Sequence, residues 1–340
     1  MGLFDIFKKK VKELSEAVPS STSNVEVKYR RSTKDASKEF EKYLTLTEQG
    51  DAKIQLNLAL CYIFGHGTTV DNVKASKWIL KAAEQGDAKA CFFAGRVYFY
   101  GTGVPQDYQE SLKWYRKAAD KGVLRAQHDI ATFYKLGKGV PQSYSEAAKW
   151  YRKAAENGYA YSQKVLGNFY EQGLGVEKNE QEALKWYYKS AMQGFSPGQN
   201  ELGVCFIKGT GTSKNYDEGV KYIRMAAEQG DASAQNNLAT CYYNGTGVDE
   251  DEEEAVEWYR KAAEQGLVSA QKRLAKCYED GIGVERNGTE ALKWLNMEGK
   301  HTKTPYLIIA LKQYRLYHSN DTASLAWLQV SLFTWLAIPV

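Results

Sequence analysis

Histidine is scarce in this chain, four among 340 residues. His66, His128, His301 and His318 lie far apart, and none belongs to an H-E-x-x-H or accompanies a Cys-x-x-Cys. A zinc centre needs donors at such spacings, so no metal is expected. No nucleophile–base pair stands out either, which leaves an enzyme, such as a hydrolase of cell-wall or antibiotic substrates, without a visible site. Cysteine is also little used: Cys61, Cys91, Cys205, Cys241 and Cys277. Four of these share one place in the repeat described below. Equivalent places in neighbouring units stand a stacked helix pair apart, beyond the roughly 7 Å between Cα atoms that a disulfide tolerates. Buried, reduced thiols in a cytoplasmic setting are the expectation. Excess charge is missing as well. Residues 1–38 hold nine basic and five acidic side chains, which equals the +4 of the whole chain. The remainder is formally neutral, which argues against nucleic acid as its ligand. The N-terminal stretch is not expected to act as a secretory signal, because the lysines follow a short apolar stretch rather than precede a long one.

What the chain does have is a period. Gly50, Gly86, Gly122, Gly158, Gly194, Gly230 and Gly266 open seven units of 36 residues without slippage. Such a period marks stacked supersecondary units. In Gly230–Gln265, Leu238, Ala239 and Tyr242 have helical spacing, and so do Ala255, Trp258, Tyr259, Ala262 and Ala263. Gly245-Thr246-Gly247-Val248 lies between them. Each unit therefore reads as helix A, a glycine turn and helix B. Gly65, Gly101, Gly137, Gly173, Gly209, Gly245 and Gly281 fall where helix A needs a left-handed C-cap. These Gly-x-Gly pairs follow a helix and lack the Lys-Ser/Thr of a phosphate loop, so no nucleotide or other cofactor is expected. Trp78, Trp114, Trp150, Trp186, Trp258 and Trp294 share one place on helix B, and Tyr62, Tyr98, Tyr134, Tyr170, Tyr242 and Tyr278 one on helix A. With the alanine pairs Ala118/Ala119 and Ala262/Ala263 beside them, they are expected to form a continuous core. The acidic run Asp249–Glu254 is expected to open a helix B, where the dipole favours anions.

The blocks A-x-x-x-L-A/G-x-x-Y, G-x-G-V and E-A-x-K-W-Y-R-K-A-A-E-Q-G recur in that order, and in them the chain resembles the Sel1-like repeat, a relative of the tetratricopeptide repeat. The resemblance covers about Ala36 to Asn296. It departs at Gly67-Thr68-Thr69-Val70, where the turn valine is displaced, and after Trp294, where Ala-Ala-Glu-Gln-Gly is lost. It implies an all-α, right-handed α-α superhelix and a protein-binding scaffold or adaptor. It does not extend to the two cysteines per repeat of some secreted members, so their disulfides and penicillin binding are not implied.

Three segments are expected: residues 1–35 as an amphipathic helix and linker, 36–299 as the repeat stack with a leading half unit, and 300–340 as capping helices. In the first, Leu3, Phe4, Phe7 and Val11 lie on one stripe with Lys8, Lys9 and Lys10 beside them. Two readings stand for this helix: a peripheral contact with the inner face of a membrane, or docking onto the first repeat or a partner. The last 18 residues are uncharged, but Gln329, Ser331, Thr334 and Pro339 make a terminal cap a better fit than a membrane anchor.

Function should lie where the units differ. Alignment with the tetratricopeptide relative places the third, sixth, tenth, thirteenth and fourteenth residues after each opening glycine on the concave side. In units two and three this selects Lys89, Phe92, Arg96, Phe99, Tyr100, His128 and Lys135; in units four to six, Lys164, Asn168, Asn200, Asn236 and Tyr243. His128 is expected to be an exposed helix residue. A partner peptide, acidic or extended, would meet the cations through its acids and the asparagines through its backbone. The alternative is a membrane-surface organiser acting through the N-terminal helix.

Overall fold

A computed structural model describes residues 35–47 and 50–296. The expected N-terminal helix with Leu3, Phe4, Phe7, Lys8, Lys9, Lys10 and Val11, and the expected C-terminal cap, fall outside the described residues. Within them the chain is all helix and turn, with no strand. A division between Val123 and Leu124 separates two compact units.

The first unit begins with α1 (35–46) and continues with α2 (Ala52–Phe64), α3 (Asn72–Glu84), α4 (Ala88–Tyr100) and α5 (Tyr108–Asp120). The second holds α6 (Leu124–Leu136), α7 (Tyr144–Glu156), α8 (Ala160–Gln172), α9 (Glu180–Met192), α10 (Ser196–Lys208), α11 (Tyr216–Glu228), α12 (Ala232–Asn244), α13 (Glu252–Glu264), α14 (Val268–Asp280) and α15 (Gly288–Asn296). Even-numbered helices are A helices and odd-numbered ones B helices. Within each unit a helix packs on its sequence neighbours, and α2 also meets α4, while α10 meets both α8 and α12.

Helix ends are written locally. Asp251 caps α13 by accepting from the Glu254 amide, and Glu252, Glu253 and Glu254 fill the first turn, so the acidic run is a helix start. Asp87, Ser143, Asn179 and Asn215 cap α4, α7, α9 and α11 in the same way. Helix A ends on a left-handed glycine, as at Gly173 with φ 70°. The turn then closes through one recurring bond. The N-cap amide of helix B donates to the carbonyl of the aromatic that recurs near the end of helix A, as Asn179 does to Tyr170 at 2.9 Å and Asp251 to Tyr242 at 3.0 Å.

The second turn glycine does more than complete the turn. Gly175 has φ 65°, and a Cβ there would run into the backbone of Tyr144 and Ser145 at the start of the preceding helix B. Gly103, Gly211, Gly247 and Gly283 make the same approach to the helix B before them. A place that reads as turn punctuation is thus where one repeat seats on the next.

The core register differs from the expectation by one residue. The deepest large side chains of helix B are Tyr115, Tyr151, Tyr187 and Tyr259, with Ile79 and Ile223 in the same place, all at most 2% exposed. These directly follow the tryptophans. Trp78, Trp114 and Trp150 are only half-buried, and of the six only Trp186, Trp258 and Trp294 are buried. Lys117, Lys153, Lys189 and Lys261 lay their ammonium groups over Trp114, Trp150, Trp186 and Trp258 at 3.8–4.9 Å. An indole under a lysine stem suits the rim of a core, where one edge stays near water. All five cysteines are buried and unpaired.

A glutamine ladder links the repeats. In α12, Gln235 donates to the Ala227 carbonyl at the end of α11 and accepts from Gln265 at the end of α13, at 3.2 and 2.8 Å. Gln163 does the same with Ala155 and Gln193. These side chains satisfy helix-end carbonyls that packing has shut off from water.

Candidate protein-docking faces

Helix A packs through its fourth, fifth, eighth and ninth places, which in α4 are the buried Ala90, Cys91, Ala94 and Gly95. The expected docking places therefore lie on the opposite side of the helix. The two units use that face differently.

In the second unit most of the expected residues are engaged within the protein. His128 is buried, 6% exposed, which corrects the expectation of a surface residue. Tyr151 and Tyr161 cover its ring at centroid distances of 5.0 and 4.6 Å, and its Nδ1 lies 2.9 Å from Ser162 Oγ. Burial, with the Arg125 and Lys135 charges nearby, holds its pKa well below the ordinary value, so the ring is neutral. Ser162 is itself fully buried, so this serine–histidine pair holds two helices together where no substrate can reach. Lys164 is not free for a guest's acids, because its ammonium group pairs with Glu201 at 3.0 Å. The Asn168 amide is satisfied when its oxygen accepts from Lys164 at 3.1 Å and its nitrogen donates to the Tyr187 hydroxyl at 2.8 Å. That hydroxyl donates in turn to Glu171 at 2.8 Å. Burial and the Glu171 carboxylate push the Tyr187 pKa far above the ordinary phenol value.

The asparagine line is likewise not a free row of clamps. Asn200 is 6% exposed and accepts from Asn237 at 2.8 Å. Asn236 is half-buried, and its Oδ1 has no hydrogen-bond partner among the described residues. Tyr243 packs on the apolar cluster that α12 and α13 share. Lys135 is half-buried and forms no ion pair among the described residues. On the helix-B side, a cavity of about 400 Å³ is lined by Lys149, Arg152, Lys153 and Glu156. Its cations are engaged too: Lys149 with Glu146, Arg152 with the Tyr170 hydroxyl, and Lys153 over Trp150.

In the first unit the cations at these places have no carboxylate partner among the described residues. Lys89 is exposed and has no carboxylate within ion-pair distance among the described residues. Arg96 is half-buried, and its guanidinium lies 5.7 Å from the Tyr100 ring centroid, with no acid beside it among the described residues. Phe92 packs edge-on to Phe93 at 5.8 Å and tilted to Tyr115 at 5.7 Å. Phe99 meets Tyr100 edge-on at 4.8 Å, and Tyr100 is 47% exposed. The neighbouring α2 presents Lys53, Leu60, Ile63 and Phe64 at the matching places, all half-buried or exposed. These α2 residues were outside the expected set, although the repeat spacing applied to the first repeat would have selected them.

Helix pairs stacked through fixed packing places, each with a variable face, define an α-solenoid repeat protein. The Sel1 repeat model matches seven consecutive segments, 52–87, 88–123, 124–159, 160–195, 196–231, 232–267 and 268–297, and the chain belongs to that family. A protective antigen of uropathogenic Escherichia coli strains, described as displaying an SLR fold, is 33% identical with a TM-score of 0.67. The match covers 87% of this chain and 64% of that one, so this chain spans under two thirds of its relative. A Sel1 repeat protein from Oxalobacter formigenes is 32% identical over 73% of this chain and 98% of its own, with a TM-score of 0.65. No curated protein matches the sequence. Among the described residues, no helix is long and apolar enough to cross a membrane, and no cluster of acidic, histidine or cysteine side chains could hold a metal ion.

Proposed function

We propose that this protein is a non-enzymatic scaffold that holds a segment of a partner protein against the exposed faces of its A helices. The observation that carries this reading is the division of labour within helix A. Its packed places keep one pattern in unit after unit: a small or aliphatic residue at the fourth, eighth and ninth, and glutamine at the fifth everywhere but at Cys91. Its opposite places run from Phe92 and Arg96 to Asn236 and Tyr243. Packing requires the first set and leaves the second free to differ, as expected of a surface that reads a partner.

A photoreactive residue at position 96 in the first unit, or 236 in the second, should crosslink a partner protein that the same residue at position 149 on a helix-B face does not. Crosslinking from position 149 alone would move binding to the helix-B side. The membrane-surface alternative rests on residues 1–18, and flotation of the full chain with anionic vesicles tests it separately.

A further inference from the structure

We infer that the helix-A face of the first unit, formed by α2 and α4, is the docking site for a partner segment that carries a carboxylate beside an aromatic or long aliphatic side chain. The inference deepens the scaffold reading and depends on it.

Internal pairing distinguishes this face from its counterparts. At the tenth place, Thr132 and Thr240 lie 3.0 Å from the Tyr151 and Tyr259 hydroxyls, and Asn168 reaches Tyr187. The side chain there is consumed by its own helix pair. Arg96 occupies that place in α4 and, among the described residues, lies near the Tyr100 ring with no acid partner. At the sixth place, His128, Lys164 and Asn200 are bonded to Ser162, Glu201 and Asn237. Phe92, by contrast, has ring neighbours in Phe93 and Tyr115 and no polar group to pair among the described residues.

The charge is one-sided. Among the five variable places of each helix, α2 and α4 carry Lys53, Lys89 and Arg96 and no acid. The counterparts in the second unit include Glu171, Glu279 and Asp280. A guanidinium near a tyrosine ring keeps N–H donors for a carboxylate, which it can hold in a two-pronged bond. Tyr100 beside it, and Ile63 and Phe64 at the matching places of α2, offer apolar area, and burying that area gives the contact strength that an exposed ion pair alone lacks. A basic partner would meet three unmatched cations, and a purely apolar one would leave the Arg96 charge desolvated and unpaired.

The test uses the full chain and a displayed library of short random peptides, followed by fluorescence anisotropy with the enriched peptides. The enriched sequences should place Asp or Glu within about three residues of an aromatic residue or leucine, spacing that one α-helical or extended turn can span. Arg96→Glu should weaken their binding about tenfold or more, the size of a lost charge-assisted contact. The same variant should recover binding when the peptide's acid is replaced by lysine, and Tyr100→Ala should weaken both pairings. Circular dichroism matching the wild type shows that each variant is folded. Peptides that bind Arg96→Glu and Tyr100→Ala as tightly as wild type, but lose affinity with Lys135→Glu or Asn236→Ala, would overturn this site and leave the scaffold reading intact. A library that yields no binder to folded protein would overturn both.

Discussion

His128 carries the clearest consequence at the scale of one residue. It is neutral because its pocket of tyrosines excludes water and cations stand near it, so its folded pKa lies well below the ordinary 6.5. Above pH 6.5 the ring is neutral in both folded and unfolded chains and adds no pH dependence. Below it the unfolded chain takes up a proton that the folded one refuses. Stability should therefore fall as pH drops from 6.5 toward the folded pKa, by up to about 1.4 kcal/mol per pH unit. Urea denaturation at several pH values should show His128→Gln losing less stability than wild type across that window. His66, whose pKa is also lowered by burial, is present in both proteins and cancels. Equal pH slopes would mean the imidazole is accessible. The thiols give a second expectation. Burial pushes Cys205 up to about 12, and Cys241 and Cys277 to about 11. At neutral pH there is almost no thiolate, so a thiol reagent should react only as the helices open. Full labelling before urea unfolds the chain would contradict the packing described here.

At the scale of helices and turns, the sequence was legible where one cause acts alone. Glycine at a left-handed helix end has no substitute of equal ease, so Gly173 and its equivalents could be read directly. Trp150 and Tyr151 could not be ranked, because both are large, aromatic and adjacent. Which one is buried depends on the angle at which helix B meets its neighbours, and a helical wheel does not contain that angle. His128 was misjudged for a related reason. Its partner Ser162 lies one repeat away, as Glu201 does from Lys164, and a polar side chain is surface or core according to what the next unit supplies. The same non-local cause separates two turn glycines that look equivalent. Gly158 has φ 91° and open space where a Cβ would stand, whereas Gly175 abuts the Tyr144 backbone. Gly158→Ala should cost about 1–2 kcal/mol for the left-handed backbone alone. Gly175→Ala adds the overpacking of two repeats, a further ~1–3 kcal/mol. Equal unfolding midpoints for the two variants would show that the repeats do not seat on this glycine.

For the second unit as a whole, cohesion is a chain of neighbour contacts. From α6 to α15 each helix packs on the next, and the glutamine bonds and turn glycines reach only the adjacent repeat. No helix in it belongs to a single central core. Damage should then spread by distance along the stack rather than everywhere at once. Gly283 seats the last turn of this unit on the start of α13, where a Cβ would run into the Glu252 backbone. Gly283→Ala should therefore speed native-state amide exchange in α13, α14 and α15, while α6, α7 and α8 keep their wild-type protection. The loosened helices would expose the clusters around Trp258 and Trp294 without unfolding the faces of α6 and α8. Uniform acceleration across the second unit would instead show that it opens as one body, with coupling between repeats stronger than the opening energy of any single helix pair. In that case the glutamine ladder and the recurring turn bonds would have to carry strain along the stack, and binding at any one helix-A face would be felt at the others.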